Sequence, residues 1–146
     1  MAFSSSHAQE ANKSIAETAE RLKPDPDWSW VLGALTAGSE LIGLLGFDRV
    51  RGPKECHKAR LWGFYVALPY RRTGVGRALV DQCLIRARGI AGLRQVKLFV
   101  NPTQQAAVQL YSSFGFQSFG RESEALKIDG RFFDEDYMVL RLPDHR

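Results

Sequence analysis

Apolar and polar residues follow two different periods along the chain, and the changes between them predict its elements. Two apolar runs at 28–35 and 40–47 flank the segment TAGS, whose glycine suits a tight turn, and this predicts an antiparallel hairpin. A third apolar run at 59–68 predicts a strand that ends at Pro69, because proline cannot donate a hydrogen bond to a ladder. Apolar positions at helical spacing then predict a helix over 73–88.

A strand and a second helix follow. Gly89 lies where a C-cap glycine is expected, and the apolar residues 95–100 predict a strand. Asn101 and Pro102 predict the N-cap and first residue of a helix, because asparagine accepts from free amides and proline needs no donor there. Gly115 ends this predicted helix.

The two ends of the chain complete the pattern. Helical spacing over 7–23 predicts a helix before the first strand. Residues 116–120 and 124–128 look extended, and Asp129–Gly130 is a hairpin signal before a last strand at 136–142. A hairpin-rich first half joined to a strand–helix–strand unit predicts an α+β (mixed α/β) fold.

Composition indicates one globular domain, which we assign to residues 1–146. The chain is 45% hydrophobic and 25% charged, and no apolar run approaches the roughly 18 residues that span a bilayer. The first ten residues lack the layout of a secretory signal. Cys56 and Cys83 lack CxxC spacing and predict reduced thiols, with no disulfide framework or metal site. We therefore expect a cytoplasmic protein without a membrane partner.

The charge is mildly basic and favours an anionic ligand. The formal net charge is +4 and the isoelectric point is about 9.3. Long-range attraction of this kind does not distinguish a small anion from nucleic acid. The Lys and Arg residues are spread along the chain rather than clustered in a basic arm, so we expect no nucleic-acid partner.

A glycine-containing turn, LPYRRTGVGRALV, separates the third strand from the next helix. The free amides and partial positive charge of a helix N-terminus bind anions, and Gly74 and Gly76 let the backbone approach one closely. Arg71, Arg72 and Arg77 add donors that suit phosphate oxygens. A Walker loop needs Gly-Lys-Ser/Thr, which is missing, and the alternative is a turn with solvated arginines.

A family resemblance connects this turn with the second helix. Arg71-x-x-Gly74-x-Gly76 resembles the Q/R-x-x-G-x-G/A motif of the GNAT superfamily of acyl-CoA N-acyltransferases. The segment TQQAAVQLYSSFGF is similar to the later N-x-x-A-x-x-L-Y-x-x-x-G-F pattern, with Gln104 where asparagine is usual. The resemblance covers roughly residues 30–142.

The resemblance implies a fold and a cosubstrate. The implied fold is a central, mostly antiparallel twisted sheet, flanked by helices and splayed between the fourth and fifth family strands, here with shortened N-terminal elements. The implied cosubstrate is acetyl-CoA: its diphosphate would lie on the backbone amides of 72–77 and its pantetheine arm would pair with 64–66. The amide near Val66 would polarise the thioester carbonyl. The implied cofactor-binding residues are Phe64, Tyr65, Val66, Arg71, Arg72, Thr73, Gly74, Val75, Gly76, Arg77 and Gln104.

The resemblance also implies catalytic residues. Tyr111 matches the usual general acid of the superfamily; the alternative is a core tyrosine on an amphipathic helix. Some relatives carry a glutamate on the fourth strand, but residues 60–62 include no carboxylate, so Glu55 and His57 are candidates for the general base. The alternative for both is a solvated loop. The acidic residues 134–136 could attract a cationic amine, but we favour a charged turn.

The function implied is transfer of the acetyl group of acetyl-CoA to an amine of an unidentified acceptor. The alternative is a non-catalytic CoA-binding sensor or scaffold of the same fold, which the substituted Gln104 and the missing strand carboxylate keep open. A homodimer through the final strands is one further arrangement.

Overall fold

A computed structural model describes residues 25–143. These residues form one sheet, two α-helices and a short 3₁₀ helix at Leu68–Tyr70. The predicted helix over 7–23 lies outside the described residues, and the single-domain assignment stays a prediction. The elements are β1 (Ser29–Leu35), β2 (Leu41–Arg49), β3 (Lys58–Val66), α1 (Val75–Arg88), β4 (Gln95–Val100), α2 (Gln105–Ser113), β5 (Gln117–Ile128) and β6 (Arg131–Arg141).

The sheet has six strands in the order β1-β2-β3-β4-β6-β5 within residues 25–143. Neighbouring strands are antiparallel except β3 and β4, which are parallel. The β3–β4 pairing is short, joining Lys58–Arg60 to Gln95–Lys97. Beyond these residues the two strands separate, and side chains from both line one cleft. The mixed, mostly antiparallel sheet with a splay between these two strands is confirmed.

Both helices cover the same face of the sheet. The buried side of α1, including Val80 and Leu84, packs on β1, β2 and β3. The C-terminal end of α2 reaches β6, where a Cβ added at Gly115 would stand 3.2 Å from Leu140 Cδ1. Burying these apolar faces is the main favourable term for the fold. Within residues 25–143, no helix has the length and apolar character needed to cross a bilayer.

The helix ends differ in part from the sequence prediction. The N-cap expected at Asn101 is wrong, because its Oδ1 instead accepts from the Thr103 amide at 2.9 Å and α2 begins at Gln105. This contact is an Asx turn. An Asx turn and an N-cap both use a hydrogen bond from a nearby backbone amide to the asparagine side chain, so the local sequence does not distinguish them. Gly89 is the C-cap residue of α1, as predicted, although its φ of −83° is not left-handed. Gly115, with φ of +100°, does end α2.

The final hairpin also corrects the sequence prediction. The two extended segments are one strand, β5, with register shifts at Ser118/Gly120 and Glu122/Leu126. The Asp129–Gly130 turn is confirmed, with φ of 51° and 76°. β6 starts earlier than predicted, so the acidic residues 134–136 lie within a strand and the expected charged turn is wrong.

Candidate active site

The loop between β3 and α1 presents a helix N-terminus. Its first intrahelical hydrogen bond runs from the Ala78 amide to the Gly74 carbonyl at 3.0 Å, so the amides of 75–77 lie at the open end of α1. Gly74 has φ of +93°, in the region that favours glycine, and an added Cβ there would meet no atom within 4 Å. The backbone conformation at position 74 therefore requires glycine.

Gly76 is a glycine for a different reason. A Cβ added there would stand 2.9 Å from Phe64 Cζ and 3.6 Å from Leu110 Cδ2. Its φ is not positive, since it lies inside α1. The second glycine of the motif therefore lets α1 pack closely on the β3 aromatic ring.

Two of the three arginines are held by the protein itself. Arg71 Nε donates to the Val66 carbonyl at 2.9 Å, which fixes the loop to the end of β3. Arg77 Nη2 donates to Ser113 Oγ at 3.2 Å, and its guanidinium lies 5.3 Å from the ring centroid of Phe114. Arg72 is exposed, with φ of 65°. The sequence prediction treated all three as anion donors, whereas Arg71 and Arg77 also brace the loop and α2.

A groove of about 580 Å³ runs from this loop to α2. Its walls come from the end of β3, the loop, and the exposed face of α2. The Thr73 hydroxyl donates to the Tyr70 carbonyl and thereby shapes the loop rather than lining the groove. The groove is lined by Phe64, Val66, Arg71, Arg72, Gly74, Gly76, Arg77, Gln104, Ala106, Ala107, Gln109 and Leu110.

The backbone of β3 offers one free edge to the groove. The Ala67 amide donates to Ile42 on β2 at 2.8 Å, so by strand alternation Tyr65 also directs its backbone toward β2. Phe64 and Val66 then direct theirs toward the splay, where the Val66 carbonyl accepts from Arg71. The pairing expected of 64–66 with an extended ligand therefore falls on Phe64 and Val66, not Tyr65.

A second cavity, of about 210 Å³, occupies the splay between β3 and β4. We call it the cleft. It shares three lining residues with the groove, namely Phe64, Gln104 and Ala107, so the two spaces adjoin. Gln104 makes no side-chain capping bond with α2. The cleft is lined by Leu45, Leu61, Trp62, Gly63, Phe64, Leu98, Phe99, Val100, Asn101, Gln104, Ala107, Tyr111, Leu126 and Glu135.

Tyr111 lies on the inner wall of the cleft and is 6% exposed. Its ring contacts those of Phe64 and Phe116, with both centroid distances 5.8 Å. Burial raises the pKa of the Tyr111 phenol above its ordinary value of 10.0, and the nearby Cys83 thiol adds to this rise. The phenol is therefore a protonated donor at neutral pH.

Glu55 and His57 do not reach the cleft. They precede β3 at its paired end, where the His57 carbonyl accepts from the Arg94 amide at 2.8 Å. Glu55 Oε1 forms an ion pair with Lys58 Nζ at 3.4 Å. His57 and Phe64 are seven residue steps apart along the chain, a span of roughly 23 Å at the usual strand rise. The structure does not bring these two residues together with Tyr111.

Glu135 lines the cleft, whereas the sequence analysis favoured a charged turn for the acidic residues 134–136 over a role in attracting an amine. It lies on β6, opposite Glu122 of β5, and is partly buried. Burial, and then the charge of Glu122, raise the pKa of the Glu135 carboxyl. Only long-range register brings it beside β4, since Val100 pairs with Asp136. No local sequence signal could have placed it there.

Among the described residues, no group of three or more His, Cys, Asp and Glu side chains is arranged to hold a metal ion.

The family comparison agrees with this geometry. A family model described as "Acetyltransferase (GNAT) family" matches residues 3–116. The chain belongs to this family. The resemblance carried by Arg71, Gly74, Gly76 and Tyr111 is thereby confirmed at the level of family membership, while the role of each residue stays a prediction.

Similar proteins of this acetyltransferase family include curated and solved examples. N-acetyltransferase family 8 member 3 of Rattus norvegicus is 35% identical over 82 residues, which cover 56% of this chain and 36% of the rat protein. The match therefore spans just over a third of that relative. An acetyltransferase of the GNAT family from Streptococcus pneumoniae superposes with a TM-score of 0.79 at 21% identity, covering 89% of this chain and 76% of that one.

Another similar solved structure contains a ligand. The structure of yncA from Salmonella typhimurium, determined with its cofactor acetyl-CoA, superposes with a TM-score of 0.73 at 20% identity. The superposition covers 94% of this chain and 75% of that one. At this identity the likeness establishes the shared fold.

Proposed function

We propose that this protein transfers the acetyl group of acetyl-CoA to an amine of an acceptor molecule. The observation that carries the proposal is the junction of groove and cleft at Phe64, Gln104 and Ala107. It connects an anion-binding helix end with a buried phenol, Tyr111, along one path. A diphosphate-bearing thioester needs both features in this order.

The groove fits the donor. The open amides of 75–77 and the partial positive charge of the α1 N-terminus suit a diphosphate, and the first turn of this described helix has no acidic residue to oppose it. Arg72 is exposed and adds a cation. The open edge of β3, with the Phe64 backbone and the Val66 amide, suits an extended amide-containing arm, and Gln104 also lines the groove. Acetyl-CoA, when bound, supplies the acetyl group as a thioester.

The protein's own residues then supply hydrogen bonds and protons. The Val66 amide, on the open edge of β3, donates to the carbonyl to be attacked. The Tyr111 phenol, whose pKa is raised by burial, donates its proton to the departing thiolate. The aromatic wall of Phe64 and Phe116 around this phenol excludes water from the transfer.

Glu135 receives the acceptor amine at the other wall of the cleft. No ion pair occupies this carboxylate among residues 25–143, and its raised pKa favours proton uptake from an amine. In this assignment Glu135 replaces Glu55 and His57 as the general base. Removal of one proton at Glu135 and delivery of one at Tyr111 leave the amide and free CoA as products.

Release of free thiol from acetyl-CoA in the presence of a panel of amines tests this function. We expect amine-dependent thiol release together with an acetylated amine detected by mass spectrometry. A protein that is stabilised against heat by acetyl-CoA but releases no thiol with any amine would instead be a CoA-binding sensor. The cytoplasmic location and a homodimer through the final strands stay predictions, and light scattering tests the second.

A further inference from the structure

The last carbonyl of β3 is bonded by a side chain rather than by a strand. The ladder between β3 and β4 ends at Arg60 and Lys97, so at Val66 no strand of the described chain continues the sheet on the splayed side. Arg71 Nε donates to the Val66 carbonyl at 2.9 Å instead. Val66 is 4% exposed and Arg71 is partly buried, so this hydrogen bond is largely sheltered from bulk water.

The peptide group that joins Val66 to Ala67 is held at both of its polar ends. The Ala67 amide donates to the Ile42 carbonyl on β2 at 2.8 Å. The carbonyl of the same peptide group accepts from Arg71 on the opposite side. A peptide group is planar, so two hydrogen bonds from opposite sides fix its rotation about the strand axis.

The orientation of this peptide group sets the direction of the neighbouring Val66 N–H. Alternation along β3 directs both polar groups of Val66 away from β2 and toward the groove that Val66 lines. Tyr65 pairs with Leu44, which holds the chain on the other side of Val66. In acetyl transfer the Val66 amide donates to the thioester carbonyl, and a donor of this kind stabilises the transition state only if its direction is set beforehand.

Arg71 also carries a positive charge near the N-terminus of α1, which would suit a different role as a phosphate ligand. The hydrogen bond that Arg71 makes does not need this charge, because its acceptor is a neutral carbonyl. The adjacent Arg72 is exposed and lines the same groove, so it can supply charge to a bound anion. The two arginines can therefore differ in role although they are neighbours in the sequence.

We propose that Arg71 is a positioning residue for acetyl transfer: its Nε hydrogen bond holds the Val66 amide in the direction that the thioester carbonyl requires. This inference rests on the proposed acetyl transfer and assigns the charge that binds the diphosphate to Arg72 rather than to Arg71. Arg71 does not touch the reacting atoms and acts through the Val66–Ala67 peptide group.

Two neutral variants of similar length test the proposal. Glutamine carries Nε2 as many bonds from Cα as arginine carries Nε, whereas methionine has a similar length and no donor. We expect Arg71→Gln to keep kcat within about threefold of wild type, and Arg71→Met to lower kcat by about 10- to 100-fold with little change in the KM for acetyl-CoA. If Arg71 acted by its charge, both variants would raise this KM equally and share the same kcat.

The same substitution at the next residue is the matched control. Arg72→Gln should raise the KM for acetyl-CoA by about two- to fivefold at low salt, the size of an exposed charge pair, and by less at high salt. Its kcat should stay close to that of wild type, because binding lost equally from the ground and transition states leaves kcat unchanged. An increase in KM for Arg71→Gln as large as for Arg72→Gln would overturn the proposal.

Infrared spectroscopy of bound acetyl-CoA, labelled at its carbonyl carbon, detects the Val66 hydrogen bond without turnover. A hydrogen bond to the thioester carbonyl lowers its stretching frequency. We expect wild type and Arg71→Gln to show the lowered frequency and Arg71→Met to show one nearer that of free acetyl-CoA. Equal frequencies in the two variants would overturn the proposal. If Arg71→Met does not fold, a raised frequency or a more than tenfold lower kcat in folded Arg71→Gln would overturn it.

The outcomes separate this inference from the proposed function. Wild-type kcat in folded Arg71→Met would overturn the role of Arg71 and keep acetyl transfer. If wild type released no thiol with any amine, the proposed function would be removed. A carbonyl frequency that still depended on the residue at position 71 would then support the contact between Val66 and the thioester, and one that did not would overturn that contact as well.

Discussion

Gly76 lies against the ring of Phe64, so closely that a Cβ at position 76 would stand 2.9 Å from Phe64 Cζ. The same ring lies 5.8 Å from the ring of Tyr111, measured between centroids. Phe64 lines both the groove and the cleft. One aromatic side chain therefore couples the glycine motif of α1, the open edge of β3 and the phenol of α2.

Gly76→Ala should strain this contact. The added methyl group must displace a buried ring that also packs against Tyr111, so we expect a loss of about 1–3 kcal/mol in the free energy of unfolding. Denaturant titration measures the loss. The double variant Gly76→Ala/Phe64→Leu should recover part of it, because leucine leaves room for the methyl group. Strictly additive changes in the free energy of unfolding would show that residues 76 and 64 do not interact.

Tyr111→Phe should separate catalysis from packing. The aromatic contacts with Phe64 and Phe116 are kept, so the free energy of unfolding should change by less than about 1 kcal/mol. Turnover should fall by about 10²–10⁴-fold, the usual contribution of a proton donor, with the KM for acetyl-CoA little altered. Steady-state kinetics with saturating amine measure both. Wild-type turnover in the folded variant would remove the acid role of Tyr111.

Cys83 should make the folded state sensitive to alkaline pH. Burial raises the pKa of the Cys83 thiol from 9.0 to about 12, with Arg86 opposing this by a smaller amount. The unfolded chain loses this proton at lower pH than the folded chain, so the free energy of unfolding falls as pH rises through 9. Cys83→Ala lacks this titration, and its stability should decline less steeply between pH 9 and 10 in urea titrations. Parallel slopes for the two proteins would contradict the thiol's buried state.

The sequence predicted the regular parts of the fold from local signals. The strand at 95–100 has the predicted bounds. An apolar run between polar segments was enough to locate it. The helix over 73–88 was two residues too long at its start, where the left-handed Gly74 delays the first turn. The Asp129–Gly130 turn was predictable because both residues tolerate positive φ.

The chemistry of the cleft was less predictable, because it depends on register. Glu135 resembled a turn residue in sequence, and only pairing with β4 and β5 brings it into the cleft. Asn101 has the local pattern of an N-cap, yet its Oδ1 accepts from the Thr103 amide and α2 begins only at Gln105. Glu55 and His57 lie only a few residues before β3. Because β3 is extended, they are at the opposite end of the strand from the splay.

The most direct test of the account is whether acetyl-CoA binds at the N-terminus of α1, measured as its effect on the melting temperature of two Gly74 variants. Gly74→Ala and Gly74→Glu both force a side chain into φ of +93° and should lose similar intrinsic stability, about 1 kcal/mol. Only Gly74→Glu places a carboxylate beside the open amides of 75–77. We predict that acetyl-CoA raises the melting temperature of wild type and Gly74→Ala but not of folded Gly74→Glu. An equal rise in all three proteins would contradict the diphosphate site and the acetyl transfer that depends on it.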